Sequence, residues 1–268
     1  MHFPTRMVPW RAVTAALLAS AALAATAATP AAKAPTADEI VAHHVEARGG
    51  AAKLHAITVL HRSGRLVLPG MNIELGLSEW KTRAGAYRQD AMLQGMTAIQ
   101  AYDGHEAWQV QPFNGRKDPS RMSEDEARAL SLGADLDFPF VDARAKGHVL
   151  EYLGLEDIDG TPAHALRVRL KGGDDATYWI DPDTWLVIRV LERHTIRGAE
   201  DTTETDLGEY QQVGGVWVPM TEESGPKGSD PTQRQKLVYD RAEVNVPAPA
   251  TLFAFPDTSA KAASGARP

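Results

Sequence analysis

The sequence predicts a mainly β protein: a single curved antiparallel sheet forming an open, unclosed β-barrel of about eleven strands, with an N-terminal helix and a helical lid inserted mid-chain. Three observations predict it. Apolar and polar residues alternate with period two in short runs from residue 57 to 246, punctuated by Pro69-Gly70, Asp103-Gly104, Asp159-Gly160 and Gly214-Gly215. Two capping boxes, Thr36 with Glu39 and Ser123 with Glu126, mark helices before and within those runs. A flat sheet of that size would leave one apolar face in water, so it must curve over the helices.

Residues 1–27 read as a secretory signal. Arg6 and Arg11 precede an apolar run from Ala12 to Ala24, followed by small residues suited to cleavage after Ala24 or Ala27. That run is short for a membrane span, and no later segment resembles one. Residues 28–35 read as a linker, 36–256 as the folded domain and 257–268 as a disordered tail. There is no cysteine, hence neither a disulfide nor a lipidation site at the cleavage point. The two arginines of the leader are its only charges, so its removal takes the formal net charge from −7 to −9. An acidic chain with scattered basic residues argues against nucleic acid and anionic lipid surfaces as partners.

The first helix opens at Thr36, carries Ile40, Val41 and Val45 on one face, and stops at Gly49-Gly50. Leu60, Leu66 and Leu68 then share one strand parity around Arg62 and Gly64. Met71, Ile73, Leu75 and Leu77 alternate with Asn72, Glu74, Gly76 and Ser78, the cleanest half-buried strand in the chain. Strands follow over about 86–94, 96–103 and 105–111. Residues 114–121 read as a polar loop, and the second capping box opens a helix to about Leu132, stopped by Gly133. Leu136, Phe138, Pro139 and Phe140 form an apolar cluster in this insertion. Strands resume over about 148–157, 161–171, 174–181, 184–196, 200–213, 215–224 and 233–246. Two runs rich in Trp, Tyr, Ile and Val flank Asp181-Pro182-Asp183-Thr184, a turn composition. The second run is apolar on both faces, Trp185 and Val187 on one and Leu186, Ile188 and Val190 on the other, so a second layer must cover it.

Catalytic signatures are missing from the pattern. There is no G-x-S-x-G elbow, no cysteine nucleophile, no H-E-x-x-H and no Gly-rich phosphate loop between a strand and a helix. The reading is of a protein that is not an enzyme, with no cofactor and no metal.

Three stretches carry a resemblance. Ala101-Tyr102-Asp103-Gly104, continuing through Trp108, Pro112-Phe113 and Gly115, the Asp181-Pro182-Asp183-Thr184 hairpin, and Asn245-Val246-Pro247 with Leu252-Phe253 resemble the bacterial outer-membrane lipoprotein-sorting family. That family is similar to the periplasmic lipoprotein carriers LolA and LolB. The resemblance spans about residues 37–256. It implies an unclosed barrel with helices lidding a cavity for lipid or lipoprotein acyl chains. It also implies an arginine on a barrel strand that bonds the lid; Arg62 and Arg65 both lie on a suitable strand.

The expected function is therefore a periplasmic carrier or binding protein for a lipidic ligand. The alternative is an envelope interaction factor, with a protein partner and a permanently filled cavity. Met71, Ile73, Leu75 and Leu77 are the expected cavity wall; Leu136, Phe138 and Phe140 are the expected lid. The competing reading makes all seven ordinary core.

Overall fold

The computed structural model describes residues 34–257 apart from Arg197. The expected leader, most of the linker and all but the first residue of the expected tail lie outside the described residues.

Helix α1 (Ala37–Ala47) starts at a reciprocal capping box. The Thr36 hydroxyl accepts from the Glu39 amide, and the Glu39 carboxylate accepts from the Thr36 amide. Gly49 and Gly50 turn the chain into a short second helix, α2 (Ala51–Ala56), which the hydrophobic pattern does not announce.

The first half of the sheet is a meander: β1 (Val59–Leu68), β2 (Ile73–Thr82), β3 (Tyr87–Leu93), β4 (Met96–Tyr102), β5 (Ala107–Gln111) and β6 (Arg116–Arg121). Strand β6 occupies the stretch expected as a loop. It is an outermost strand with charges and Pro119, a composition that protects an edge and hides its β character from a hydrophobicity reading. Helices α3 (Glu124–Gly133) and α4 (Ala143–Lys146) bracket the insertion. The Ser123–Glu126 capping box is present, and Gly133 ends α3 from within, Ala134 being the cap.

The second half comprises β7 (Val149–Ile158), β8 (Thr161–Arg169), β9 (Asp175–Ile180), β10 (Val187–Ile196), β11 (Ala199–Gly208), β14 (Thr221–Pro226) and β15 (Gln235–Val244). A separate ribbon, β12 (Gln211–Val213) and β13 (Val216–Val218), peels away between β11 and β14. The single long hairpin expected there is thus split.

The order across the sheet is β6-β5-β4-β3-β2-β1-β15-β14-β11-β10-β9-β8-β7, thirteen strands instead of about eleven, antiparallel throughout. Strands β6 and β7 are its two ends, so the barrel stays open, as expected. The halves meet where β1 pairs with β15. A bulge at Ser63/Gly64 coils that seam, and a side chain at Gly64 would place its Cβ 2.0 Å from the Val238 carbonyl oxygen.

The concave face is covered in two places. Ile40 of α1, Phe140 and Val141 pack on Leu166, Val168, Tyr178, Ile180 and Val190 of β8–β10. Leu54 and Ile57 pack on Leu60, Val216 and Val218. Helix α3 lies against β3, β4 and β5 on one side and β10 on the other, spanning the mouth.

The hairpin after β9 departs from simple alternation. A bulge between Val187 and Arg189 puts Val187 and Val190 in the same cluster and moves Leu191 to the other face. Trp185 is not a strand residue. It sits in the turn with φ of 57°, half-buried, stacked between His43 and His164 with ring centroids at 4.3 and 5.0 Å.

Candidate functional site

Strand parity builds the site. Leu60, Arg62, Leu66 and Leu68 of β1 register against Lys81, Glu79, Leu75 and Ile73 of β2 on the concave face. Beside them, Glu222 of β14 faces Leu207 of β11, and Val190 and Glu192 of β10 face Thr205 and Thr203. The strap from Asp135 to Pro139, between α3 and α4, closes over this surface. The half-open chamber beneath it has a volume of about 160 Å³.

Its floor is polar. Arg62, 1% exposed, donates from Nε to Glu79 (2.9 Å), from Nη1 to the Pro219 carbonyl (2.8 Å) and from Nη2 to Glu222 (2.7 Å), and lies 3.7 Å over the Tyr239 ring. The Tyr239 hydroxyl donates to the same Glu79 carboxylate at 3.0 Å. Burial works against the Arg62 charge, but Glu222 and Glu79 overcome it and hold its pKa well above the ordinary value. Burial pushes the Glu192 carboxyl up, with His194 and Lys81 opposing.

The strap is held by polar ties. Arg83, in the turn between β2 and β3, donates to the Asp137 carboxylate, to the Leu54 carbonyl and, at 3.0 Å, to the Ile57 carbonyl. Lys146 donates to Asp135 (2.6 Å) and to the Phe138 carbonyl (3.1 Å). Two non-glycine residues in or beside the strap adopt left-handed backbone, Phe138 with φ of 68° and Asp142 with φ of 55°. That conformation is unfavourable for a bulky phenylalanine and persists only because the surroundings impose it.

The expected site residues separate into four groups. Leu136 and Phe138 line the chamber. Phe140, 1% exposed, is core beneath it, stacked with Phe138 and edge-on to Tyr178. Leu75 and Leu77 share the concave face but belong to a closed apolar cluster with Leu66, Leu237 and Tyr239; Ile73 flanks that cluster. Met71 is not on the wall: it lies in a single 3-10 turn before β2 and is 67% exposed, because Pro69-Gly70 delays the strand to Ile73.

Of the two candidate arginines, Arg62 faces the chamber but bonds the sheet, and Arg65 points outward. The arginine that ties the strap is Arg83. Arg48 was missed: it directly follows α1 and lines the chamber, 4% exposed. The sequence signal for the floor is a charge on a buried strand parity, as at Arg62 between Leu60 and Leu66.

The motifs that carried the resemblance lie elsewhere. Asp103 accepts from the amides of His105 and Glu106 and shapes the β4–β5 turn. Trp108 is buried on the convex face and donates to the Phe253 carbonyl at 2.7 Å. Asn245 bonds Thr58 and the Ala56 carbonyl. These residues staple the chain ends to the sheet and explain fold, not cargo. No group of three or more His, Asp or Glu among the described residues converges to hold a metal.

No protein-family model and no curated protein matches the sequence. Solved structures do. A LolA superfamily protein from Nitrosomonas europaea is similar with a TM-score of 0.54 at 13% identity, over 82% of this chain and 98% of that one. A protein domain from Vibrio parahaemolyticus, assigned to outer membrane lipoprotein sorting, is similar with a TM-score of 0.52 at 13% identity, over 81% and 97%. An unclosed antiparallel sheet wrapped over helices and a strap, matching these two structures along nearly their whole length, gives this chain the LolA-like fold of lipoprotein-sorting domains.

Proposed function

We propose that this protein is a periplasmic carrier for a lipidic ligand, of the kind that moves lipid or lipoprotein acyl chains toward the outer membrane. One observation supports the reading above the others: the chamber lies under a strap held by side-chain ties and a strained Phe138, so it can open without dismantling the sheet. The volume of about 160 Å³ is close to that of engineered cavities that hold a benzene-sized guest of about six heavy atoms. A full acyl chain needs more, so loading requires the strap to lift. The work is binding and release, not catalysis. Among the described residues no helix is long and apolar enough to cross a membrane; export would rest on the leader, residues 1–27.

The test is amide exchange with and without lipid. Residues 133–142 should exchange faster than β2, and a bound lipid should slow them by favouring the loaded form. Equal exchange in the strap and β2, unchanged by any lipid recovered from envelope-purified protein by native mass spectrometry, refutes the reading. A second reading has its own observation. Edge strand β7 carries Val149 and Leu155, 62% and 59% exposed, on an unpaired side that can accept a partner strand. A protein partner lost on Leu155→Lys, with no lipid bound, would favour that interaction role.

A further inference from the structure

Arg48 is a buried cation that makes no ion pair with any described residue, Asp137 and Asp135 acting on it only at longer range. Its backbone is committed, the carbonyl accepting from the Trp217 amide at 2.9 Å. Its side chain is not. It lines the chamber at 4% exposure, its Nε has no hydrogen-bond partner among the described residues, and its guanidinium carbon stands 5.4 Å from the Phe138 ring centroid.

The nearby acids are engaged by other cations. Asp137 is held by Arg83, Asp135 by Lys146, and Glu79 and Glu222 by Arg62. Burial pushes up the carboxyl of Glu192, across the chamber, which weakens it as a counterion. Burial lowers the Arg48 pKa, yet a guanidinium remains charged inside proteins. An unpaired buried charge is among the costliest groups a fold can carry.

We propose that the chamber takes a single-chain carboxylate amphiphile, its headgroup seated on Arg48 and its first methylenes against Leu60, Leu132, Leu136 and Phe138. The proposal rests on the lipid-carrier reading and specifies its ligand class. Arg48 makes no ion pair with a described residue, and its guanidinium fork matches a single carboxylate bidentately. Asp135, Glu192 and Glu222 on the walls disfavour a doubly charged phosphate. A carboxylate with three or four carbons fills a chamber of this size; the rest of the chain leaves beneath the strap.

The experiment is calorimetric titration of the full mature chain at pH 8 with dodecanoate, 1-dodecanol and dodecyl phosphate, each below its aggregation threshold. Dodecanoate should bind about ten- to hundredfold more tightly than the alcohol, the range of a charge-assisted hydrogen-bonded pair. Arg48→Met should abolish that preference, keep dodecanol binding and leave the ligand-free melting temperature unchanged or raised. Equal affinity for acid and alcohol, or a preference that survives in Arg48→Met, overturns the headgroup assignment and leaves the lipid reading standing. Tighter binding of dodecyl phosphate overturns the carboxylate. Binding of none of the three removes the lipid reading itself. Should Arg48→Met fail to fold, the acid–alcohol comparison on the wild-type chain decides: a dodecanoate preference supports the assignment, and equal affinity overturns it.

Discussion

Arg83→Met isolates the strap. The substitution keeps the apolar stem and removes the guanidinium, which joins Asp137 of the strap to the Leu54 and Ile57 carbonyls at the end of α2. Removing one partner of a fully buried ion pair costs about 3–5 kcal/mol. Here the Asp137 side chain is 4% exposed but that of Arg83 is 33% exposed, so water already screens one partner, and about 2 kcal/mol is the reasonable figure. At 1.4 kcal/mol per factor of ten, the open population should rise roughly 30-fold. Two assays read that factor independently. Amide exchange of residues 133–142 should accelerate roughly 30-fold under conditions where opening is fast and reversible. The stopped-flow association rate of a fluorescent hydrophobic probe should rise by a similar factor, because entry is limited by the fraction of open molecules. Faster exchange with an unchanged association rate would show that the strap does not gate the chamber. No change in either would show that Arg83 does not hold it.

Three further outcomes follow from the geometry. Phe138→Asp should weaken binding of a hydrophobic probe at least about tenfold, while shifting the ligand-free melting temperature by only a few degrees, since Asp tolerates the left-handed backbone at that position better than Phe does; loss of folding instead would make the strap core. Trp185→Ala should cost about 1–2 kcal/mol in urea titrations, below the range for a fully buried aromatic, Trp185→Gly should cost no more than the alanine because φ is positive there, and Pro182→Ala should cost less than either. His44 is buried and held neutral: burial first, then the nearby Arg48 cation, lowers its pKa to about 3, although its Nδ1 donates to the Trp185 carbonyl at 2.8 Å. Its unfolded pKa of about 6.5 is higher, so its contribution is complete above pH 6.5 and is lost at up to about 1.4 kcal/mol per pH unit as pH falls toward 3. His44→Gln should flatten that part of the stability–pH profile; an identical slope would assign it to other groups.

The parts of the fold legible in the sequence were those with local grammar. The capping boxes at Thr36 and Ser123, the Asp-Gly and Gly-Gly turns and the alternation through Ile73, Leu75 and Leu77 are short-range signals, and each produced its element. Strand β6 was illegible because an edge strand needs no apolar face. The bulge after Val187 was illegible because a one-residue insertion shows only against the partner strand. The same limit applied to the site. Leu136 and Phe138, which line the chamber, stand out in the sequence as an apolar cluster inside a polar insertion. The wall was misplaced toward Met71 because clean alternation marks a half-buried strand without saying which stretch of its inner face stays unfilled. Arg48 follows α1, while Arg62 and Glu192 lie on β1 and β10, and only the assembled sheet brings them around one chamber.

The seam between β1 and β15 also governs the order of assembly. A chain that emerges amino terminus first presents β1 early, but its second neighbour is completed only at Val244. The segment that covers Trp108 comes later still, at Phe253. Each half can form hairpins as it appears, whereas joining them closes a loop of most of the domain, a non-local step that slows folding. Until then β1 is an unpaired edge with Leu60 and Leu66 exposed, a state prone to aggregate and suited to a holding chaperone. A truncation at residue 230 should therefore leave secondary structure without a cooperative transition, because it removes the one strand that makes two half-sheets a single body.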